Sequence, residues 1–94
     1  MKIHVNLRTD DLTIDETIEG ADAADILRQS KVAVAEKLGF LAGAFVRSMG
    51  DVQFAQEVVR RYNSAFEKDC ALPSTPDEFV TWAVAEKLAT VIEE

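Results

Sequence analysis

Between Ala21 and Met49 the chain runs 29 residues without a proline, and 17 of them are apolar. At 100° per residue, Leu27, Val34, Leu38, Leu41 and Phe45 fall on one narrow face, the mark of a helix packed on a core. Asp25, Gln29, Glu36 and Arg47 lie opposite. From Gly39 onward the pattern dissolves, because Phe40, Ala42, Ala44 and Val46 carry apolar surface around most of the circumference. Such a segment has to be covered from several directions, by neighbouring helices, by a second subunit, or by both. Gly39 follows Lys37-Leu38 as a helix stop, so the run reads either as one helix or as two joined at a kink. Gly39 and Gly43, with Ala35 and Ala42 nearby, would permit close helix approach. Asp22 is the expected cap at the start, with Asp25 three residues on in the capping-box position.

Ahead of this run, Lys2 to Arg8 alternates, with Ile3, Val5 and Leu7 on one side, which predicts a half-buried strand. Thr9-Asp10-Asp11 supplies a turn, and Leu12-Thr13-Ile14 resumes the alternation. Continued, the alternation places Glu16 on the apolar face beside Ile14 and Ile18, and a bulge near Asp15-Glu16 would relieve that. The two strands make a β-hairpin ending at Gly20.

Behind the run, Gly50 is a stop and Asp51 the expected next cap. Val52 to Lys68 then forms an amphipathic helix, with Phe54, Val58, Val59, Tyr62 and Phe66 on one face together with Ala55 and Ala65. Thr75-Pro76-Asp77-Glu78 combines a threonine cap, a first-turn proline and a glutamate at the third helical position. The helix it opens runs to at least Lys87, with Val80, Val84 and Leu88 facing inward. Thr90-Val91-Ile92 is a β-branched triplet, and the tail fits either a helix end or a third strand beside the hairpin. The pattern therefore predicts a single α+β domain over residues 1–94. It has an N-terminal β-hairpin, three helices, and a C-terminal third strand if the tail turns back. The hexapeptide Ala-Val-Ala-Glu-Lys-Leu occurs at 33–38 and 83–88, but its flanks do not match and it reads as coincidence.

Composition narrows the function classes. The hydrophobic fraction of 48% excludes disorder. A formal charge of −7 works against general affinity for nucleic acid or anionic membrane. The charge is uneven: residues 1–25 carry −5, while residues 26–50 carry +3. One cysteine, Cys70, fits a reducing compartment, and the N-terminus has no apolar signal core, so a cytoplasmic setting is expected. The longest apolar stretch, Leu38 to Val46, is about half of a bilayer span.

Chemistry is sparse. With one His4 and one Cys70, no zinc pattern can be built, and a His–Cys catalytic pair would have to come from these two alone. The acids Asp10, Asp11, Asp15, Glu16 and Glu19 lack the alternating-oxygen loop and central glycine of a calcium site. The four glycines match no phosphate loop. Neither enzymatic activity, a cofactor nor a metal is expected, and the residues carry no family signature.

The stretch Val46 to Asp51, followed by a helix ending Arg60-Arg61, has the outline of a helix-turn-helix, with Arg47, Arg60 and Arg61 as candidate DNA contacts. Against it, the start of the second helix carries Asp51, Gln53 and Gln56, and Gln56 stands where such motifs use an apolar contact. Trp82 falls about 160° from Val80 and Val84 on the wheel, beside Ala85 and Ala89, as an interface anchor would. The leading expectation is a cytoplasmic interaction or assembly module that forms a homodimer through Phe40, Ala44, Trp82, Ala85 and Ala89, and that can present an acidic surface to another protein. The alternative is a DNA-binding regulator using the 52–68 helix.

Overall fold

The computed structural model describes residues 1–8 and 13–93. Among these the chain forms β1 (Lys2–Arg8), β2 (Thr13–Glu19), α1 (Ala23–Lys37), α2 (Phe40–Ser48), α3 (Asp51–Phe66), α4 (Pro76–Ala85) and β3 (Ala89–Glu93). The α+β class, the hairpin and the closing strand are all present. The strands make one antiparallel sheet in the order β2-β1-β3. The expected turn at Thr9-Asp10-Asp11, with Leu12 after it, lies outside the described residues.

The β1–β2 register runs unbroken from Lys2↔Glu19 to Arg8↔Thr13, so the expected bulge at Asp15-Glu16 does not form. Glu16 instead stays in register opposite Val5, half-buried, with Oε1 3.4 Å from the Lys37 ammonium of α1. On an edge strand its stem covers apolar surface while its head reaches a cation, and this removes the need for a bulge. The ladder irregularity falls in the β1–β3 pair, between Lys2 and Ile3. One face of the sheet presents Ile3, Ile14, Ile18 and Ala89 to the helices and buries them. The other presents His4, Asp15 and Thr17 to solvent, where the His4 ring lies 2.7 Å from Asp15 and 3.3 Å from Thr17.

The long apolar run is two helices. α1 starts as expected: the Asp22 carboxylate accepts from the Asp25 N–H at 2.9 Å, and the Asp25 carboxylate accepts from Ala21 N–H and pairs with Arg28. The Ala21 bond first, and then Arg28, hold the Asp25 carboxyl below its ordinary range. α1 ends at Lys37, and two residues on Gly39 has a φ of +87°, in the region that side-chain-bearing residues avoid. The chain turns there, and α2 folds back onto α1. Gly43 makes that contact possible, because a Cβ on it would sit 2.5 Å from the Ala35 carbonyl oxygen. The single apolar face drawn through Leu27, Leu41 and Phe45 therefore does not exist. Leu27 is fully buried in α1, while Leu41 and Phe45 are exposed on α2.

α3 begins one residue early. Gly50, not Asp51, occupies the cap position, and Asp51 is the first helical residue. Its carboxylate is used across the fold instead, 2.8 Å from the Lys31 ammonium, which also donates to the Met49 carbonyl at 3.0 Å. α3 stops at Phe66 through Glu67 in the left-handed region, short of the expected Lys68. The Asn63 side chain then clamps Cys70 with two 3.0 Å hydrogen bonds, and Gln56 donates to the Pro73 carbonyl at 3.1 Å.

α4 opens as predicted, with Thr75 Oγ1 accepting from Glu78 N–H and Pro76 in the first turn. It ends at Ala85, before the expected Lys87, which is itself left-handed at φ 63° and turns the chain directly into β3. Its buried face is Phe79, Val80 and Ala83, so Val84 is exposed rather than inward. Phe79 decides the rotation: its ring lies 6.5 Å from that of Phe54 and 5.8 Å from that of Trp82, and aromatic contacts outweigh a valine.

Candidate functional site: an apolar cleft beside an exposed helix

α1 and α4 pack on the sheet, α3 packs on α1 and α4, and α2 lies on α1 while hardly touching α3. Between these elements a cleft of about 560 Å³ remains open. Leu7 and Ile14 line it from the sheet, Val34 from α1 and Leu38 from just past its end, Ala42 and Phe45 from α2, and Val58 and Ala65 from α3. Native interiors rarely leave voids larger than a water molecule, so a space of this size is a surface feature of ligand-pocket dimensions. Ala33, Ala42 and Ala65, one from each of α1, α2 and α3, are among its lining residues.

The lining carries few polar groups. Glu57, Arg61 and Ser64 of α3 and Ser30 of α1 are among them. The Ser30 hydroxyl is turned onto its own helix, donating to the Ile26 carbonyl at 2.8 Å. Glu57 accepts from both Arg60 and Arg61 at 3.2 Å. Tyr62 closes one wall. Its hydroxyl donates to Glu86 at 2.7 Å, and that hydrogen bond, with burial second, pushes the phenol up to about 12. A phenol so held keeps its proton and fixes the α3–α4 seam.

Beside the cleft α2 displays apolar side chains to solvent. Phe40 is 86% exposed, Leu41 81% and Phe45 63%. Leu41 and Phe45 are one helical turn apart and form a ridge on the side away from Gly43 and α1. These three side chains expose roughly 450 Å² of apolar surface, taking about 200 Å² per large side chain.

The residues expected to form one interface are divided by the fold. Phe40 and Ala44 are exposed on α2, and Ala85 is exposed at the end of α4. Trp82 is half-buried, edge-on to Tyr62 at 5.2 Å, and its Nε1–H is buried with no acceptor among the described residues. Ala89 is buried in β3 opposite Val5. Ala89 therefore belongs to the chain's own interior, and Trp82 is packed in part against Tyr62 and Phe79, because α4 turned toward Phe54 and the tail became a strand. Arg47 is exposed on α2.

His4 lies on the solvent face of the sheet and Cys70 in the loop after α3, and the contacts of each are with other residues. Among the described residues no three His, Cys, Asp or Glu side chains converge as a metal site would require, and no helix is long and apolar enough to cross a membrane. Sequence reasoning missed the cleft. Its only trace there is alanine at facing positions of separate helices, which means nothing until the helices are placed. No protein-family model matches the chain, and neither a curated protein nor a solved structure matches it.

Proposed function

We propose that this chain is a cytoplasmic protein-interaction module that works as a homodimer, without catalytic activity of its own, and offers an acidic surface to a further protein. The observation that carries the reading is the apolar surface of α2, the Leu41–Phe45 ridge with Phe40 beside it, where Phe40 and Leu41 are more than four-fifths exposed. The largest apolar patch of a small protein is often its interaction site, and here roughly 450 Å² is concentrated on one nine-residue helix. Charge supports the same surface. Two copies of a −7 chain repel one another, and residues 38–50 contain no carboxylate, with Arg47 their only charge. Contact there brings no acids together.

The DNA-binding alternative finds less support. A helix-turn-helix packs its two helices together, whereas α2 hardly touches α3. Arg60 and Arg61 share the Glu57 carboxylate, and Gln56 is occupied with the Pro73 carbonyl.

Sedimentation velocity over a wide range of concentration tests the proposal, on wild type and on Leu41→Glu. The expected result is a wild-type dimer whose dissociation constant rises at least about tenfold in the variant, equivalent to 1.4 kcal/mol. A wild-type chain that is monomeric at every concentration refutes the homodimer.

A further inference from the structure

The ridge and the cleft adjoin, since Phe45 of α2 belongs to both and Ala42 of the same helix lines the cleft. A two-fold dimer requires each copy to present both halves of its own complement on one side. A projecting apolar edge next to an apolar recess meets that requirement.

Area discriminates between the ways two such surfaces can meet. Ridge against ridge would bury roughly 450 Å² on each copy, or about 900 Å² in total, short of the roughly 1,200 Å² at which specific interfaces begin. A specific interface needs about 800 Å² from each partner. Placing the ridge in the recess covers the ridge and the cleft walls at once, twice over by symmetry, and so buries more than ridge against ridge can. It also covers side chains that are only half-buried in a single chain, Val34, Leu38 and Val58 among them. Among possible occupants of the cleft, a second copy is favoured because its matching surface is already displayed and free of carboxylates.

We infer that Phe40 and Leu41 of one copy seat in the apolar cleft of a second copy, and that the second copy does the same in return. This rests on the homodimer reading and specifies its geometry. Each cleft is then incomplete without side chains from the partner.

Cross-linking between differently labelled copies tests it. In a Cys70→Ser background, Leu41→Cys and Ala65→Cys are made separately, both at exposed positions where folding is not at stake. The two proteins are mixed and treated with a short bismaleimide, alongside each protein alone. The expected result is a mixed dimer trapped several-fold more efficiently than Leu41→Cys with itself. If Leu41→Cys traps itself and the mixed pair is not trapped, the helices meet ridge to ridge and the seating is overturned, while the homodimer stands. If the chain sediments as a dimer but neither pair is trapped, the cleft has another occupant and the seating is again overturned. A chain that sediments only as a monomer removes the homodimer and the seating together.

Discussion

α1 and α2 come from one uninterrupted apolar run and meet opposite fates. α1 places Ile26 and Leu27 at 0% exposure, enclosed by neighbouring elements and supporting the sheet. α2 is the more apolar of the two in composition, with only Arg47 and Ser48 polar among its nine residues, yet it buries Gly43 and Val46 alone. The difference lies in what surrounds each helix. α1 has the sheet, α3 and α4 around it, whereas α2 has α1 on one side and solvent on the other. Apolar content sets what a helix would gain from burial, and neighbours set whether it is buried. A helix whose apolar surface outruns its neighbours is where a partner is expected.

Substitutions on the two helices should therefore separate stability from association. The largest effect on folding is expected from Leu27→Ala, which empties a fully enclosed site in α1 and should cost about 2–5 kcal/mol in urea unfolding. Leu41→Glu on α2 should leave the stability of the isolated monomer within about 0.5 kcal/mol of wild type, because the side chain is already in water. Equal losses for the two would erase the contrast between the helices.

Gly43→Val addresses the joint between them. The added Cβ would meet the Ala35 backbone, which cannot yield as a flexible side chain would, so α2 must lift from α1 at a cost of about 1–3 kcal/mol. Hydrogen exchange should quicken in α2 before it quickens in α1 or the sheet. Uniform quickening would mean that the two helices fold as one unit.

The smallest effect concerns the start of α1. Because the Asp25 carboxyl is lowered below 3.8 in the fold, the unfolded chain takes up that proton first as pH falls. Its contribution is therefore complete above the unfolded value and is lost as pH drops through the lowered folded value. Asp25→Asn should flatten acid unfolding in that window and leave the sedimentation behaviour as in wild type. An unaltered acid limb would show that the Ala21 and Arg28 contacts add nothing to stability.

Signals confined to a few neighbouring residues were legible in the sequence. The caps at Asp22 and Thr75, the alternation of β1 and the first-turn proline of α4 are satisfied by bonds within one turn, so no distant residue can overrule them. The candidate site was legible in part. Phe40 and Ala44 stood out as surplus apolar surface, but the recess beside them draws side chains from all seven strands and helices among the described residues and has no signature in any one.

By itself, the sequence determined the class of fold, the hairpin, the principal helices and the acidic balance, because hydrophobic period, capping and charge are properties of neighbouring residues. Tertiary structure decided the rest. It chose strand over helix for Thr90-Val91-Ile92, since β1 had a free edge to pair with. It turned α4 so that Trp82 joined Tyr62 and Phe79, since aromatic packing outweighed exposure of Val84. It left α2 uncovered beside an open cleft, since burial depends on which surfaces are brought opposite one another.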